Sequence, residues 1–488
     1  MPILVGGRWI SRESEVPENG SVERSGTSAD GSGAAGADAG VSGAGVPERN
    51  GTTRIVIVGG GFAGYQAARS LTRALPAGSG TEIVLVNPMD YFLYLPLLPE
   101  VAAAVLDPRR VTVSLPATLP GVRLALGEVT SVSLEERRVS YTDPEGIAHG
   151  LDYDRLILAA GSVNKLLPIP GVAEHAHGFR DLAEALYLRD HVIRQVELAD
   201  STTDPDERAA RCTFVVVGAG YTGTEVAAQG PLFTDAIMAN HPHLRGQRVR
   251  WLLLDLAPAV LPGLDPRLSR AADRVLRRRG VEVRMGVSVR EATRSGVHLT
   301  TGEFVPTRSL IWCVGVRPDP LVEDTGLPTQ KGRLLVEPTL VVPGHPEVFA
   351  CGDAAAVPDL TRPGQVTAMT AQHATRQGTL AGRNVAASLG YGRMRRYKHH
   401  DLGFVVDLGG TQAAANPLHI PLSGWPAKAV TRGYHLISMP GNRIRTAADW
   451  ILDAAVGRQS VQLGLVRSAA VPLDTAEPGP VQRSVASG

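Results

Sequence analysis

The apolar run Ile55-Val56-Ile57-Val58 ends in a glycine cluster, and the chain from Ala63 to Leu75 then reads as a helix. A second apolar run, Glu82 to Val86, follows. Short apolar runs bounded by glycine are the sign of buried parallel strands, so this stretch predicts a strand–turn–helix–strand unit. The same order returns with its glycines 159 residues later: Phe214 to Val217, a second glycine turn, a helix from Thr224 onward, and a strand from Val249 to Leu254. The segment from Pro231 to Arg248 is longer than its counterpart and is expected to carry extra helix. Beyond Pro338 come another apolar run ending in Cys351-Gly352-Asp353 and a helix-like stretch from Ala371 to Leu389. From Arg393 the mixture changes to two strand-like pieces around a turn, then a helix-like segment beginning near Arg443.

Residues 1–52 are dominated by Gly, Ser, Ala and charges, and 469–488 are similar. Such stretches bury too little apolar surface to offset the entropy of ordering, so both are expected to be disordered. The fold expected between them is α/β, with two Rossmann-like dinucleotide-binding domains. The first is discontinuous, over 53–170 and 333–392. The second, 171–332, is inserted into it, and a smaller α+β segment covers 393–468.

Of the 488 residues 43% are hydrophobic, and the formal net charge is +1. The charge gives no global attraction to nucleic acid or an anionic surface, and 5% aromatics is poor for base stacking. A nucleic-acid partner is not expected. Cys212, Cys313 and Cys351 are far apart, with no redox-pair or zinc spacing, so neither a disulfide scaffold nor a metal site is expected. No apolar run is long enough to span a bilayer. The expected place is the cytoplasm, with the inner face of the cell membrane as the alternative.

Gly59, Gly61 and Gly64 give G-x-G-x-x-G between strand and helix. In such a loop the first glycine allows the tight turn, the second lets a pyrophosphate approach the backbone, and the third lets helix and strand pack closely. The helix start then offers free N–H groups to phosphate. The acidic residue usual at the end of the second strand is replaced by Asn87, whose amide can accept one bond and donate another to a ribose. The second loop has Gly218, Gly220 and Gly223, and its strand ends at Asp255. That carboxylate suits a free ribose 2′-OH and would repel a 2′-phosphate, which favours NADH over NADPH. A surface charge or helix cap is the other reading of Asp255. Gly352 lets a phosphate-rich ligand sit close, and Asp353 can accept from ligand hydroxyls or cap a helix.

The set GGGFAG, LILAAGS with Gly161, VVVGAGYTGTE, LIWCVGVRPD and VFACGDAA resembles the flavoproteins with two dinucleotide-binding domains, and within them type II NADH dehydrogenases. The likeness covers about Arg54 to Gly390 and weakens to Val466. It implies FAD and NADH as cofactors, hydride transfer from NADH to the flavin, and two electrons passed on to a quinone or other small acceptor. It places Tyr91 to Ala102 beside the flavin and Glu225 near nicotinamide and flavin. The helix start Ala371-Gln372-His373 falls at the quinone pocket, where Gln372 could bond a quinone oxygen and His373 relay a proton with its ordinary pKa of about 6.5. Arg376 stands where the family often has glutamine, and Pro421 to Leu436 keeps only fragments of the family's Trp-rich pattern. Ile444, Ala447, Ala448, Ile451 and Ala455 share one helical face, with Arg443, Arg445 and Arg458 nearby. That face suits either a membrane interface or the protein's own core. A homodimer is left open. The rival enzyme is a soluble NAD(P)H-dependent reductase serving ferredoxin or another small acceptor. A nucleotide-binding redox sensor without turnover is the rival from another class.

Overall fold

The structure, a computed structural model, describes residues 51–473 and the backbone of a short antiparallel pairing of Leu4–Val5 with Arg8–Trp9. Most of the leader, and the tail from 474, lie outside the described residues. Residues 469–473, expected as tail, are described, and Val471 and Leu473 are buried. Leu473 packs into an apolar cluster with Val215 and Trp312, which anchors this end of the chain.

The first βαβ unit is β1 (Thr53–Val58), α1 (Phe62–Ala74) and β2 (Thr81–Asn87). Two further strands, β3 (Val122–Leu126) and β4 (Arg155–Leu158), extend its sheet. Ile57 lies opposite both Leu85 and Ile157 in parallel register. Ile55, Val56 and Ile57 are fully buried, as expected of a strand covered on both faces.

After β4 the chain leaves this sheet. It forms α2 (Leu182–Ser201), β5 (Thr213–Val217), α3 (Tyr221–Met238), β6 (Arg250–Asp255), α4 (Pro266–Arg278), β7 (Glu282–Met285) and β8 (Ser309–Trp312). The second sheet runs Ala176–His177, β8, β5, β6, β7, all parallel. The extra helix expected after Pro231 is mainly α3 itself, which continues through that proline to Met238, followed by the single turn Pro242–Leu244. α2 starts at a capping box: Asp181 accepts from the Glu184 N–H and Glu184 from the Asp181 N–H.

The chain then returns to the first sheet as β9 (His345–Ala350), which pairs in parallel with β4. The first sheet therefore reads Val341–Val342, β9, β4, β1, β2, β3. α5 (Ala371–Ser388) follows and lies on α1 at backbone contact. Side chains at Gly378 and Gly382 would collide with α1 at Ala63 and Ala67. The remaining segment adds β10 (Val405–Asp407) and β11 (Ala413–Ala415), antiparallel neighbours in a three-stranded sheet with Leu422–Ser423. α6 (Trp425–Ser438) packs on this sheet and α7 (Arg443–Val456) on α6.

Candidate functional site

The two glycine loops are built alike. Gly59 and Gly218 hold positive φ angles of 91° and 104°, which favour glycine. A Cβ on Gly59 or Gly218 would strike the carbonyl of Ala159 or Cys313, and one on Gly64 or Gly223 would strike the carbonyl of Gly59 or Gly218. The middle glycines differ. Gly61 and Gly220 have ordinary φ angles of −71° and −72°, and a Cβ on either would meet nothing within 4 Å. Nothing inside the protein demands glycine there. The missing side chain leaves the start of each long helix open, which is what a pyrophosphate needs.

Asn87 and Asp255 each close a loop. Asn87 accepts the Gly60 N–H through Oδ1 at 2.7 Å and donates from Nδ2 to the Met89 carbonyl at 2.7 Å. Asp255 accepts the Ala219 N–H at 2.5 Å and the Ala257 N–H at 2.7 Å. The amide expected to serve a ribose is thus first committed to the loop. Asp255 is likewise a loop-organising carboxylate rather than a plain surface charge.

A cavity of about 1500 Å³ joins the parts that the sequence placed far apart. Gly59, Gly61, Asn87, Gly161, Gly352 and Asp353 line it from the first domain. Tyr221, Thr222 and Glu225 line it from the start of α3, and Gln372 and His373 from α5. Gly64, Gly218, Gly220, Gly223 and Asp255 are not on its wall. Its wall also includes the apolar or aromatic side chains of Leu95, Pro96, Leu402, Phe404, Val430 and Tyr434.

Gly352 takes φ +72° and donates its N–H to Gln377 Oε1 at 2.8 Å, so the Cys351-Gly352-Asp353 turn is pinned by α5. Asp353 accepts from Ser162 Oγ at 2.8 Å and keeps further lone pairs for a ligand hydroxyl. Burial holds its carboxyl above the usual range. FAD fits this set of residues: an open middle glycine, a helix start behind it, and a buried carboxylate at the return strand.

Glu225 is buried and accepts the Asp407 N–H through Oε1 at 2.8 Å. Its partner lies on β10, far along the chain, so the glutamate is not simply a cap for its own helix. Burial pushes its carboxyl well above the usual range, with Asp407 and Glu100 adding repulsion and Lys428 opposing.

The α5 residues depart from expectation. Gln372 donates from Nε2 to the Gly403 carbonyl at 2.5 Å, while its Oε1 is buried without a partner among the described residues. A flipped amide would set oxygen against oxygen, so the free group is an acceptor, and a donor on a ligand would satisfy it. His373 bonds Tyr397 Oη through Nδ1 at 2.8 Å and lies 4.0 Å from the His399 ring. Burial first, then His399, bring its pKa down to about 4. The imidazole is neutral near pH 7, so it lacks the titration near neutrality that motivated it as a proton relay.

The thiols of Cys313 and Cys351 are both pushed up to about 12 by burial, and that of Cys212 to about 11. None is an activated nucleophile. No group of residues suited to a metal occurs among the described residues.

Several site residues were not singled out from the sequence: Asp407, Lys428 and His435, with Tyr94 and Glu100 seen only inside the quoted Tyr91 to Ala102 segment. Tyr94 Oη and His435 Nδ1 are 3.1 Å apart, and His435 lines the cavity. No local pattern announces such pairs, because their members meet only in the fold.

α7 turns its apolar stripe outward. Only Thr446 and Trp450 are buried on that helix, while Ile444 is 86% and Ile451 69% exposed. Trp425, at the start of α6, is 72% exposed. Of the two readings of this stripe, packing on the protein's own core is excluded. No helix among the described residues is long and apolar enough to cross a membrane.

The profile of the pyridine nucleotide-disulphide oxidoreductase family matches residues 53–378. The chain is 30% identical over 414 residues to the type II NADH:quinone oxidoreductase Ndh of Mycobacterium tuberculosis, covering 81% of this chain and 87% of that protein. It is 28% identical over 408 residues to the demethylphylloquinone reductase NdbB of Synechocystis, covering 82% and 95%. Among solved structures, NDH2 of Plasmodium falciparum in complex with NADH superposes with a TM-score of 0.76 at 18% identity, covering 84% of this chain and all of that one.

Proposed function

The chain belongs to the pyridine nucleotide-disulphide oxidoreductase family and, within it, to the type II NADH:quinone oxidoreductases, and from that premise we propose that it oxidises NADH and reduces a quinone. The balanced reaction is NADH, a proton and a quinone giving NAD⁺ and a quinol. One observation carries the reading. A single cavity is walled by the FAD-type loop, by the start of α3 with Glu225, and by apolar and aromatic side chains that suit a quinone ring.

FAD, when bound, supplies the capacity to take a hydride and release an electron pair. Gly61 and the N–H groups at the start of α1 would hold its pyrophosphate, Asp353 its hydroxyls, and Gly161 and Gly352 would leave room beside it. Gly220 and the start of α3 would bind the NADH pyrophosphate. Asp255 would take the adenosine ribose hydroxyls with the lone pairs its two backbone bonds leave free, and would oppose a 2′-phosphate. Glu225 would orient the nicotinamide or hold the proton that the balance requires. Gln372 would meet a donor with its free oxygen, and His373, neutral, would act as a hydrogen-bonding wall. The apolar lining from Phe404 to Tyr434 would exclude water from the acceptor.

The outward stripe of α7, with Trp425 on α6, would seat the protein on a bilayer surface, with Arg443 and Arg445 at the headgroups. A quinone dissolved in the bilayer would then reach the apolar side chains of the cavity wall. Flotation with anionic liposomes tests this: wild type should co-migrate and Ile444→Ser/Ile451→Ser should not. A stripe used by a second copy would instead give a homodimer in sedimentation and no flotation.

The activity test is an anaerobic absorption spectrum before and after NADH, then after a soluble quinone. Flavin bands that bleach with NADH and return with quinone are expected. Bands that return only with ferredoxin would favour the soluble reductase, and a protein colourless even with added FAD would overturn the reading.

A further inference from the structure

Behind Glu225 lies a buried polar cluster that the reaction described so far does not use. Asp407 on β10 offers its N–H to Glu225, and its Oδ2 is hydrogen-bonded to Lys428 Nζ from α6. The same ammonium is 3.6 Å from Glu100 Oε1, on the short helix Leu98–Ala102 of the first domain. Glu100 in turn accepts Trp450 Nε1 from α7 through Oε2. Glu225, Asp407, Glu100 and Lys428 are each at least nine-tenths buried.

We infer that Asp407, Lys428 and Glu100 are positioning residues that share one exchangeable proton with Glu225, and that this is the proton the quinone takes up. The inference rests on the proposed quinone reduction. NADH contributes a hydride, that is, two electrons and one proton. The quinone needs two electrons and two protons, so one further proton must be supplied from water, and a buried protein group that lines the cavity can hand it on. Glu225 is the member of the cluster that lines the cavity, so delivery falls to it.

The charge count supports this. Three ionised carboxylates around one ammonium would leave two net negative charges in a buried site, at a large desolvation cost. Arg279 and Arg432 offset part of this charge, and the other titratable groups facing the cluster are neutral. Arg279, at the end of α4, keeps its charge while donating to the carbonyls of Ala228, Leu408 and Gly409. Arg432 from α6 is only half-buried and stacks over Trp450 at 4.8 Å. Tyr221, with its pKa up at about 12, and His435, with its pKa down at about 4, are both neutral near pH 7. Burial lifts Glu225 well above the carboxylate range and Glu100 to about 7, so the cluster retains protons at neutral pH.

Two substitutions in the FAD-loaded protein should move its titration in opposite directions. Lys428→Met removes the cation and should raise the pH at which the protonated-carboxyl infrared band disappears. Glu100→Gln removes a repelling anion while keeping an acceptor for Trp450, and should lower it. Each shift should be about 1 pH unit or more. The pH midpoint of quinone-dependent return of the flavin bands should follow with the same signs. A purely structural role would lower stability without splitting the two signs. If Lys428→Met does not fold, Glu100→Gln alone decides by its acid shift. No shift in Glu100→Gln, or shifts of the same sign in both, overturns the inference. Failure of the wild type to react with quinone would overturn the functional reading instead, and the infrared midpoints would still report on the cluster.

Discussion

Asn87 accepts the Gly60 N–H through Oδ1 at 2.7 Å, the relationship that Asp255 has to the Ala219 N–H in the second loop. A neutral amide thus does in one loop what a carboxylate does in the other, and its Nδ2 ties down Met89 as well. Asn87→Ala leaves a buried N–H without an acceptor, at about 1–3 kcal/mol. If the loss falls on the FAD-binding conformation, the FAD Kd rises roughly tenfold, which a flavin fluorescence titration would measure. An unchanged Kd would mean the loop holds itself.

The open middle glycines should separate the two nucleotides. Gly61→Ala places a methyl where the first pyrophosphate approaches, so the protein should purify folded but with little flavin. Gly220→Ala should retain its flavin and raise KM for NADH. Gly64→Ala differs from both, because its Cβ meets backbone, and it should fail to fold. Flavin content per chain and circular dichroism distinguish the three.

Asp255 bears on the choice of nicotinamide. Its carboxylate would face the 2′-phosphate of NADPH, and like charges brought together cost several kcal/mol. Asp255→Asn keeps an acceptor for the Ala219 N–H, so the loop should survive. The ratio of kcat/KM for NADPH to that for NADH should rise at least about tenfold. A ratio that stays fixed would place the ribose elsewhere.

Glu225→Gln keeps the acceptor for the Asp407 N–H and removes the proton. Either NADH-driven bleaching or quinone-driven return should slow about 100-fold or more, the scale of acid–base catalysis. Stopped-flow absorbance reads each step, and unchanged rates in both would end the assignment. Stability gives a second reading. The folded-state pKa of Glu225 is raised, so the folded protein binds more protons than the unfolded one above about pH 4.5. Wild type should therefore lose stability relative to Glu225→Gln as the pH rises from there.

The buried histidines act with the opposite sign. His373 and His435 have folded pKa values of about 4 against an ordinary 6.5. As the pH falls through 6.5 the unfolded chain takes up protons first, so their contribution is full above 6.5 and is lost progressively toward pH 4. Urea midpoints should fall over that window, and His435→Gln should flatten the fall. A slope unchanged by the substitution would show that His435 is not buried neutral.

The βαβ units were legible because their signals are local. Ile55 to Val58 and Phe214 to Val217 are apolar runs that only a covered strand can use, and each glycine loop has its spacing set by backbone collisions a few residues away. The start of α2 was equally legible, since Asp181 and Glu184 stand at capping-box spacing, but the sequence reading passed over it. α7 was read correctly as an amphipathic helix, yet periodicity is the same whether the apolar side faces a core or a bilayer. Only the placement of Trp450 inward and Ile444 outward showed that the stripe does not pack on the protein's own core.

What the sequence by itself determined, then, was the pair of nucleotide loops and the family, because turn geometry and strand burial are encoded within a few neighbouring residues. The tertiary structure alone decided how the site is charged. His373 is neutral because burial removes its water and His399 beside it opposes its charge, and Gln372 offers an oxygen because Gly403 occupies its nitrogen. Glu225 holds its proton because burial, with the carboxylates of Asp407 and Glu100 brought in from distant segments, outweighs the opposing charge of Lys428. Desolvation and charge repulsion depend on distance through space, and the order of residues along the chain does not specify that distance.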